Sequence, residues 1–327
     1  MHRKSGMNTK TNMTNLHTSA PRNGLNVRFA TREEGRKLIL DNTQYYNRLT
    51  QTDIDWRARE EGATLDELIA FAQKNVMQFR HDEIELVLQT VSFIEHRLDC
   101  LNCQLPLPDE IIFVKSNLKD ESSTFAYTSK NVIFLNVNLF WQKETFRNIV
   151  IAHELFHCIT RHSPEFRKEM YSLVGFMVMD RDIVFPEPIR RVIMANPDVE
   201  HIDNYATFTL DGEKRKCTLL SFYVHTWAEA CAIEGPTTRF FDHIRTVLVP
   251  LDALDRPHDY EEASDFWAKM GRNTKYVSSP EECLADNFSY AIVYGEAIEY
   301  QSPHLMNALL RVTQNFGKTA ASIRNLL

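Results

Sequence analysis

One short run in the middle of the chain limits what it can fold into more than any other feature. Residues 149–159 read I-V-I-A-H-E-L-F-H-C-I and carry three ionisable side chains, His153, Glu154 and His157, among apolar ones. All the remaining residues of the run are apolar, which predicts a helix that is buried on nearly all sides. Unpaired polar groups in such a place would cost several kcal/mol. The run therefore requires a strong partner for these three side chains.

The spacing of the three side chains indicates a metal ion as that partner. Residues four apart lie about 40° apart around a helix, so the imidazoles of His153 and His157 face the same point. Glu154 is offset by about 100°, within reach of a water held between the two rings. Two neutral imidazoles and a water make up most of a catalytic zinc site. The alternative is a pair of core histidines bonded to backbone carbonyls, with Glu154 turned to solvent.

A zinc site of this kind needs a third protein ligand, and a second segment offers one. Residues 278–288 read S-S-P-E-E-C-L-A-D-N-F. Serine before proline, with proline at the first helical position, is typical of a helix start. Glu282 and Asp286 lie one turn apart and share a face. We expect Glu282 to be the third ligand, and Asp286 to orient a ligand histidine through its other ring nitrogen.

A purely local role for Glu282 competes with this interpretation. Glu282 follows Ser279 by three residues, the spacing of a capping box, in which its carboxylate would bind the start of its own helix. Ser278 and Glu281 have the same spacing. A box formed by that pair would leave Glu282 free, which favours the ligand role.

With these two segments the chain resembles the gluzincin group of zinc metallopeptidases, to which thermolysin belongs. Gluzincins combine H-E-x-x-H on one helix with E-x-x-x-D, or a close variant, on a later helix. The resemblance implies one Zn²⁺ bound by His153, His157 and Glu282, with Glu154 as the base and Asp286 as support. It covers the two segments and the strands ahead of the first helix. The chain departs from compact members in the separation of 125 positions from His157 to Glu282, which implies an insertion at about 164–277.

The expected chemistry is hydrolysis of a peptide bond. Zinc brings the pKa of a bound water towards neutrality, and Glu154 would take its proton and pass it to the departing amine. Related enzymes add a Tyr or His that stabilises the oxyanion. The sequence does not choose among several candidates, for each of which a packed or surface role is the alternative: His201, Tyr205, Tyr223, His225, Tyr276 and Tyr290.

Composition limits the class of protein. At 327 residues, 43% hydrophobic and 25% charged, the chain matches a globular protein of one large or two ordinary domains. A net charge of −7 provides no basic surface for nucleic acid. No apolar stretch is long enough to span a membrane, and the start of the sequence lacks the apolar core of a secretory signal. We expect a cytoplasmic protein, or one exported without a recognisable signal peptide, whose partner is a peptide or protein substrate; its oligomeric state is open.

The pattern of periodicities predicts an α+β fold, mainly helical and zincin-like, with a small sheet packed on the motif helix. Residues 1–28 are expected to be a disordered tail, 29–104 a helical N-terminal lobe, and 105–327 the catalytic domain. Strands are predicted at 111–115, 125–128 and 131–138, and Asp211-Gly212 predicts a hairpin. The resemblance implies that 132–137 is a sheet edge able to pair with an extended substrate; the alternative is an ordinary core strand.

The sequence therefore predicts a zinc-dependent peptidase. Two rival hypotheses remain at this point. One is a narrow-specificity protease, an effector or processing enzyme, that acts on one folded protein through the insertion. The other is a zincin-like binding protein that performs no chemistry.

Overall fold

The computed structural model describes residues 24–324, with side chains described as far as residue 316. Most of the tail predicted for residues 1–28 lies outside the described residues. Val27 and Arg28, at its end, already belong to a strand. The described chain mixes helices and strands in separate segments, which confirms the α+β class.

The helices and strands are numbered in chain order. The helices are α1 (Arg32–Leu40), α2 (Thr43–Tyr46), α3 (Gln51–Ala58), α4 (Leu65–Asn75), α5 (His81–Cys100), α6 (Glu144–His162), α7 (Pro164–Leu173), α8 (Glu187–Arg190), α9 (Trp227–Glu234), α10 (Phe266–Met270), α11 (Pro280–Val293) and α12 (Pro303–Arg324). The strands are β1 (Val27–Phe29), β2 (Val76–Met77), β3 (Ile111–Ser116), β4 (Ala126–Ser129), β5 (Val132–Asn136), β6 (Phe176–Val178), β7 (Asn204–Leu210), β8 (Glu213–Tyr223), β9 (Ile244–Pro250) and β10 (His258–Asp259).

The first sheet lies at the centre of the N-terminal half. Its strand order is β1-β3-β5-β4, and β2 also pairs with β3. β1 and β5 run parallel to β3, whereas β2 and β4 run antiparallel to their partners. Every residue of β3 and β5 is buried, which is typical of strands covered on both faces.

Alternate residues of these strands face two different helical layers. Phe113 and Leu135 belong to the large core that contains α5, α6 and α11. Ile112 and Phe134 belong to a second core with residues of α1, α2 and α4. The helices expected to form an N-terminal lobe over 29–104 therefore do not form a unit of their own. A sheet that is apolar on both faces needs helices on both, and this segment supplies helices to each.

The strand predicted to be a sheet edge, 132–137, is an internal strand. β5 pairs with β3 on one side and with β4 on the other, so its backbone is not free for strand addition. This prediction was wrong, because the four residues of β4 fold back on β5 and cover it. Within the described residues β4 is the outer strand on that side.

The insertion predicted at about 164–277 contains a second sheet, in the order β10-β9-β8-β7-β6 and wholly antiparallel. The hairpin predicted at Asp211-Gly212 is confirmed, since these two residues join β7 to β8. Asp211 and Gly212 both have positive φ, which Gly and Asp adopt more readily than most residues. Residues 258–270 form a two-residue strand, a 3₁₀ turn and the short helix α10.

The motif helix α6 packs directly on α11 in the large core. Phe156 of α6 and Phe288 of α11 lie with ring centroids 5.4 Å apart. Ala152 and Ala285 are fully buried, and their small side chains allow the two helices to approach closely. Among the described helices, none is both long and apolar enough to cross a bilayer.

Candidate metal centre

Helix α6 presents the three ionisable side chains of its motif inside the protein. Glu154 and His157 are 5% and 1% exposed, and His153 is partly buried. The ring centroids of the two histidines lie 4.7 Å apart. The spacing of four residues therefore brings both imidazoles to one place, as the sequence predicts.

Helix α11 brings Glu282 to the same place. Ser279 is its N-cap and accepts a hydrogen bond from the amide of Glu282 at 3.1 Å, and Pro280 occupies the first helical position. The carboxylate of Glu282 points to the histidines instead of closing a capping box. Ser278 and Glu281 form no box either, because Glu281 also faces α6. Ser279 thus caps the helix, and the carboxylates of Glu281 and Glu282 in the first turn are left to face α6.

Three atoms converge at the centre of the site. Nε2 of His153 lies 3.0 Å from Oε2 of Glu282, and Nε2 of His157 lies 3.5 Å from the same oxygen. The candidate ligand atoms of the three residues all lie within 4.8 Å of one another. These are the three residues that the sequence predicts as ligands.

The other nitrogen of each imidazole contacts a separate carboxylate. Nδ1 of His153 lies 2.9 Å from Oδ1 of Asp286, as predicted. Nδ1 of His157 lies 2.9 Å from Oε1 of Glu281, which also accepts a hydrogen bond from the hydroxyl of Thr160 at 2.6 Å. The sequence analysis missed the role of Glu281. Such carboxylates fix the ring orientation and the tautomer of metal-binding histidines.

This arrangement fits a cation. A carboxylate can only accept a hydrogen bond, so each Nδ1 carries a proton and donates it to Asp286 or Glu281. In the neutral imidazoles each Nε2 then presents a lone pair towards the oxygen of Glu282, and these acceptors repel one another unless a positive charge lies between them. Among the described residues, Nε2 of His157 and Oε2 of Glu154 have no hydrogen-bond partner although both are buried. Two imidazoles and one carboxylate are a donor set that suits Zn²⁺.

Without a metal, protons take the place of the cation. Burial opposes a charge on His153, yet hydrogen bonds to Asp286 and Glu282 raise its pKa to about 10. The pKa of His157 is raised as well, against the effect of burial, by nearby Asp198 and Glu282. Burial likewise opposes a charge on Glu282, but the two imidazoles hold the pKa of its carboxyl well below the usual range. The pocket thus attracts positive charge.

Glu154 lies beside the converging atoms. Burial, with a contribution from the Asp198 carboxylate, raises the pKa of Glu154 to about 8. The residue lines a cavity of about 110 Å³ together with His153 and Glu282. A raised pKa near neutrality is typical of a group that takes up and returns a proton.

A loop of the insertion, residues 194–198, forms another wall of this cavity. The side-chain amide of Asn196 donates a hydrogen bond to Oε1 of Glu282. A second group of possible metal ligands consists of Glu154, His157 and Asp198. Sequence reasoning missed Asn196 and Asp198, which lie in a loop with no periodic pattern.

Three of the predicted oxyanion stabilisers do not line this cavity: His201, Tyr205 and Tyr223. Exposed His201 pairs with Asp182 at 3.2 Å. The ring of Tyr205 contacts the ammonium of Lys216. The structure therefore keeps the first two on the surface side of the insertion.

The remaining candidates differ in their distance from the site. The hydroxyl of Tyr223 bonds to Asp53 and Arg57 in a buried network. His225 bonds to another histidine, and the hydroxyl of Tyr290 lies 3.5 Å from Asp286. Tyr276 does line the cavity, with its ring stacked on His153 at a centroid distance of 6.2 Å. Of these candidates, Tyr276 is the one that the structure brings to Glu154.

Comparison of the chain with protein-family models, with curated proteins and with solved structures gave no match.

Proposed function

We propose that this protein is a zinc-dependent peptidase of the gluzincin type, with a zincin-like catalytic unit built around α6 and α11. The supporting observation is the convergence of His153, His157 and Glu282 at one buried point, with a separate carboxylate behind each imidazole. If the histidines were merely core residues bonded to the backbone, Nε2 of His153, Nε2 of His157 and Oε2 of Glu282 would have no reason to converge.

In this proposal His153, His157 and Glu282 hold one Zn²⁺. Bound zinc supplies a Lewis acid and lowers the pKa of a water molecule towards neutrality. Asp286 and Glu281 hold the two imidazoles in the tautomer that leaves each Nε2 free. The protein thus keeps its ligands in place before any substrate arrives.

Glu154 acts as the general base. Its Oε2 has no hydrogen-bond partner among the described residues and lines the cavity beside His153. It accepts a proton as water attacks the substrate carbonyl and donates it to the departing amine. Tyr276 is our candidate for the hydroxyl that stabilises the developing oxyanion.

Glu154→Gln tests this function. The amide has the shape of the carboxylate but cannot take up the proton, so we expect hydrolysis of peptides to fall by about 10²–10⁴-fold. Zinc content, measured by atomic emission on purified protein, should stay at that of the wild type. Peptidase activity that survives in the Gln variant would rule out Glu154 as the base.

Glu282→Ala should lose zinc, because it removes the third ligand. Full retention of zinc in this variant would place the third ligand elsewhere.

Narrow specificity towards one protein target is the second candidate, and the size of the cavity favours it. The space beside Glu154 is about 110 Å³, less than the 300–1,000 Å³ of ordinary ligand sites. A general peptide library would then show little cleavage. A protein that binds zinc and cleaves neither peptides nor folded proteins would instead be an inert zincin-like binding protein.

A further inference from the structure

We propose that Asp198 is a fourth protein ligand of the metal, which closes the site at rest, so that hydrolysis requires the loop of residues 196–198 to withdraw. The proposal rests on the proposed zinc site and concerns how that site is regulated. In this proposal the insertion controls access to the metal through residues 196–198.

The position of Asp198 is the first argument. Its carboxylate lies with Glu154 and His157 in a group whose candidate ligand atoms are all within 4.8 Å of one another. His157 also belongs to the group formed with His153 and Glu282. Because Nδ1 of His157 is bound to Glu281, Nε2 is the atom left to bind a cation. A cation at Nε2 of His157 is therefore close to Asp198 as well.

Two of the polar atoms that face this point have no hydrogen-bond partner among the described residues. Nε2 of His157 and Oε2 of Glu154 are buried and have no hydrogen-bond partner among the described residues. A second carboxylate directly beside Glu154 would repel it if nothing positive lay between them. The zinc of the proposed site would satisfy these two atoms and offset the repulsion between the carboxylates.

The loop is held in this position by specific bonds at its base. The amide of Ala195 donates to Oδ1 of Asp53 at 3.0 Å, and its carbonyl accepts a hydrogen bond from Arg57. Asp53 and Arg57 form a fully buried ion pair at 3.0 Å. The amide and the carbonyl of Ala195, just before Asn196, are therefore both hydrogen-bonded to this ion pair.

Further bonds fix the tip of the loop. The amide of Asp198 donates to Oδ1 of Asn196 at 2.9 Å, while the amide of Asn196 contacts Glu282. Oδ1 of Asp198 accepts hydrogen bonds from the backbone amide and the hydroxyl of Thr128, both at 2.6 Å. The loop thus contacts the metal centre through Asn196 and the first sheet through Asp198.

A four-ligand site has a direct chemical consequence. Zinc sites with four protein ligands are structural, whereas catalytic sites keep one position open for water or substrate. Asp198 takes that position. It also occupies the amide of Thr128 on the outer strand β4, a donor that an extended peptide would use for strand addition. Binding of such a peptide and withdrawal of Asp198 are therefore coupled, because both compete for the same amide.

The test compares wild type with Asp198→Ala and Asp198→Asn. The Asn variant retains an oxygen that can accept from Thr128, so it preserves the loop while it weakens the metal contact. Asp182→Ala is the matched control, since Asp182 is half exposed in the same insertion, pairs with His201 and belongs to neither ligand group. Zinc affinity is measured by chelator competition, the coordination of Co²⁺-substituted protein by its visible spectrum, and hydrolysis with quenched peptides at saturating zinc.

We expect both Asp198 variants to bind zinc at least about tenfold more weakly, the loss typical of groups that support a metal site. Their Co²⁺ spectra should change, and their hydrolysis of peptides should rise at least tenfold, whereas Asp182→Ala should match the wild type. Unchanged zinc affinity and an unchanged Co²⁺ spectrum would overturn the ligand role of Asp198. Weaker zinc binding with slower hydrolysis would overturn the closure, since Asp198 would then serve turnover.

Failure of the proposed function gives a different result. If wild type and both variants all bind zinc but cleave no peptide, while the Asp198 variants bind it more weakly, the peptidase proposal fails and the four-ligand site stands. If wild type does not bind zinc at all, both proposals fail together.

Discussion

Each motif histidine donates its Nδ1 proton to a carboxylate, and this sets the proton balance of metal binding. Hydrogen bonds to Asp286 and Glu282 raise the pKa of metal-free His153 to about 10 against the effect of burial, and the pKa of His157 is raised too. Both imidazoles therefore favour the protonated form without metal, and a proton held at Nε2 must leave before zinc binds.

We expect zinc binding to release about two protons at pH 7, and zinc affinity to rise with pH until the pKa of His153 is passed. Calorimetry in buffers of different ionisation enthalpy measures this number directly. Glu282→Gln removes one of the carboxylates that raise the pKa of His153, so fewer protons should be released. Zinc affinity that is flat between pH 6 and pH 9 would show that the imidazoles are already neutral in the metal-free protein.

The carboxylates behind the histidines should act independently. Replacing Asp286 by Asn or Glu281 by Gln weakens the acceptor that orients one imidazole. Each change should lower zinc affinity by about 10–100-fold, the usual effect of such partners. Glu165→Gln, at an exposed position of α7, is the control and should leave affinity unchanged. Chelator competition gives the three values; normal affinity in Glu281→Gln would mean that His157 needs no support from α11.

At the scale of elements, the sequence predicts the two helices of the site well and the loop over it not at all. The period of 3.6 residues brings His153 and His157 together, and the Ser-Pro start with a one-turn spacing brings Glu282 and Asp286 to face them. Glu281 escapes this reasoning because neighbours on a helix point about 100° apart. Glu281 and Glu282 nevertheless both face α6, because the first turn of α11 is buried on every side.

The loop and the sheet edge follow other rules. Asn196 and Asp198 are placed by bonds to residues 70 or more positions away, which no local pattern encodes. The internal position of β5 depends on β4 folding back on it, and a four-residue strand carries little signal in the sequence. In the second sheet the Asp211-Gly212 turn marks one hairpin, whereas β6, β9 and β10 join it through pairings that the sequence analysis did not find.

The contact between α6 and α11 allows a test of packing. Ala285 is fully buried where α11 packs in the large core, and its small side chain permits a close approach. Ala285→Leu adds three carbons to a filled space, which should lower the free energy of unfolding by about 1–3 kcal/mol. Ala297→Leu, at an exposed position after the same helix, should change it little. Urea denaturation measures both, and equal stability of the two variants would mean that α11 has room to move away from α6.

At the scale of the whole molecule, one buried arginine connects parts that are distant in sequence. Arg57 of α3 is 2% exposed and pairs with Asp53 at 3.0 Å and with Glu121 at 3.1 Å. It also donates hydrogen bonds to Tyr223 of the second sheet and to the carbonyl of Ala195 in the loop over the metal centre. One guanidinium therefore bonds to the N-terminal helices, to the insertion and to the loop over the site.

Arg57→Met should consequently destabilise the protein as a whole. Its loss leaves the carboxylates of Asp53 and Glu121 buried without their cation, a change that costs about 3–5 kcal/mol of unfolding free energy. Arg59→Met, two residues away and exposed, is the matched control and should be close to neutral. Urea denaturation of both variants, with zinc saturating, gives the comparison.

The loss of unfolding free energy in Arg57→Met should also grow as the pH rises. Burial raises the pKa of Glu121 to about 7, although Arg57 lowers it. A carboxyl with a raised pKa binds its proton more tightly in the folded state, so stability falls as pH rises from the unfolded pKa of about 4.5 to the folded one. Without Arg57 the folded pKa rises further, and the decline continues above pH 7. The difference in unfolding free energy between wild type and variant should therefore be larger at pH 8 than at pH 5; a difference that is constant over this range would show that Glu121 does not depend on Arg57 for its charge.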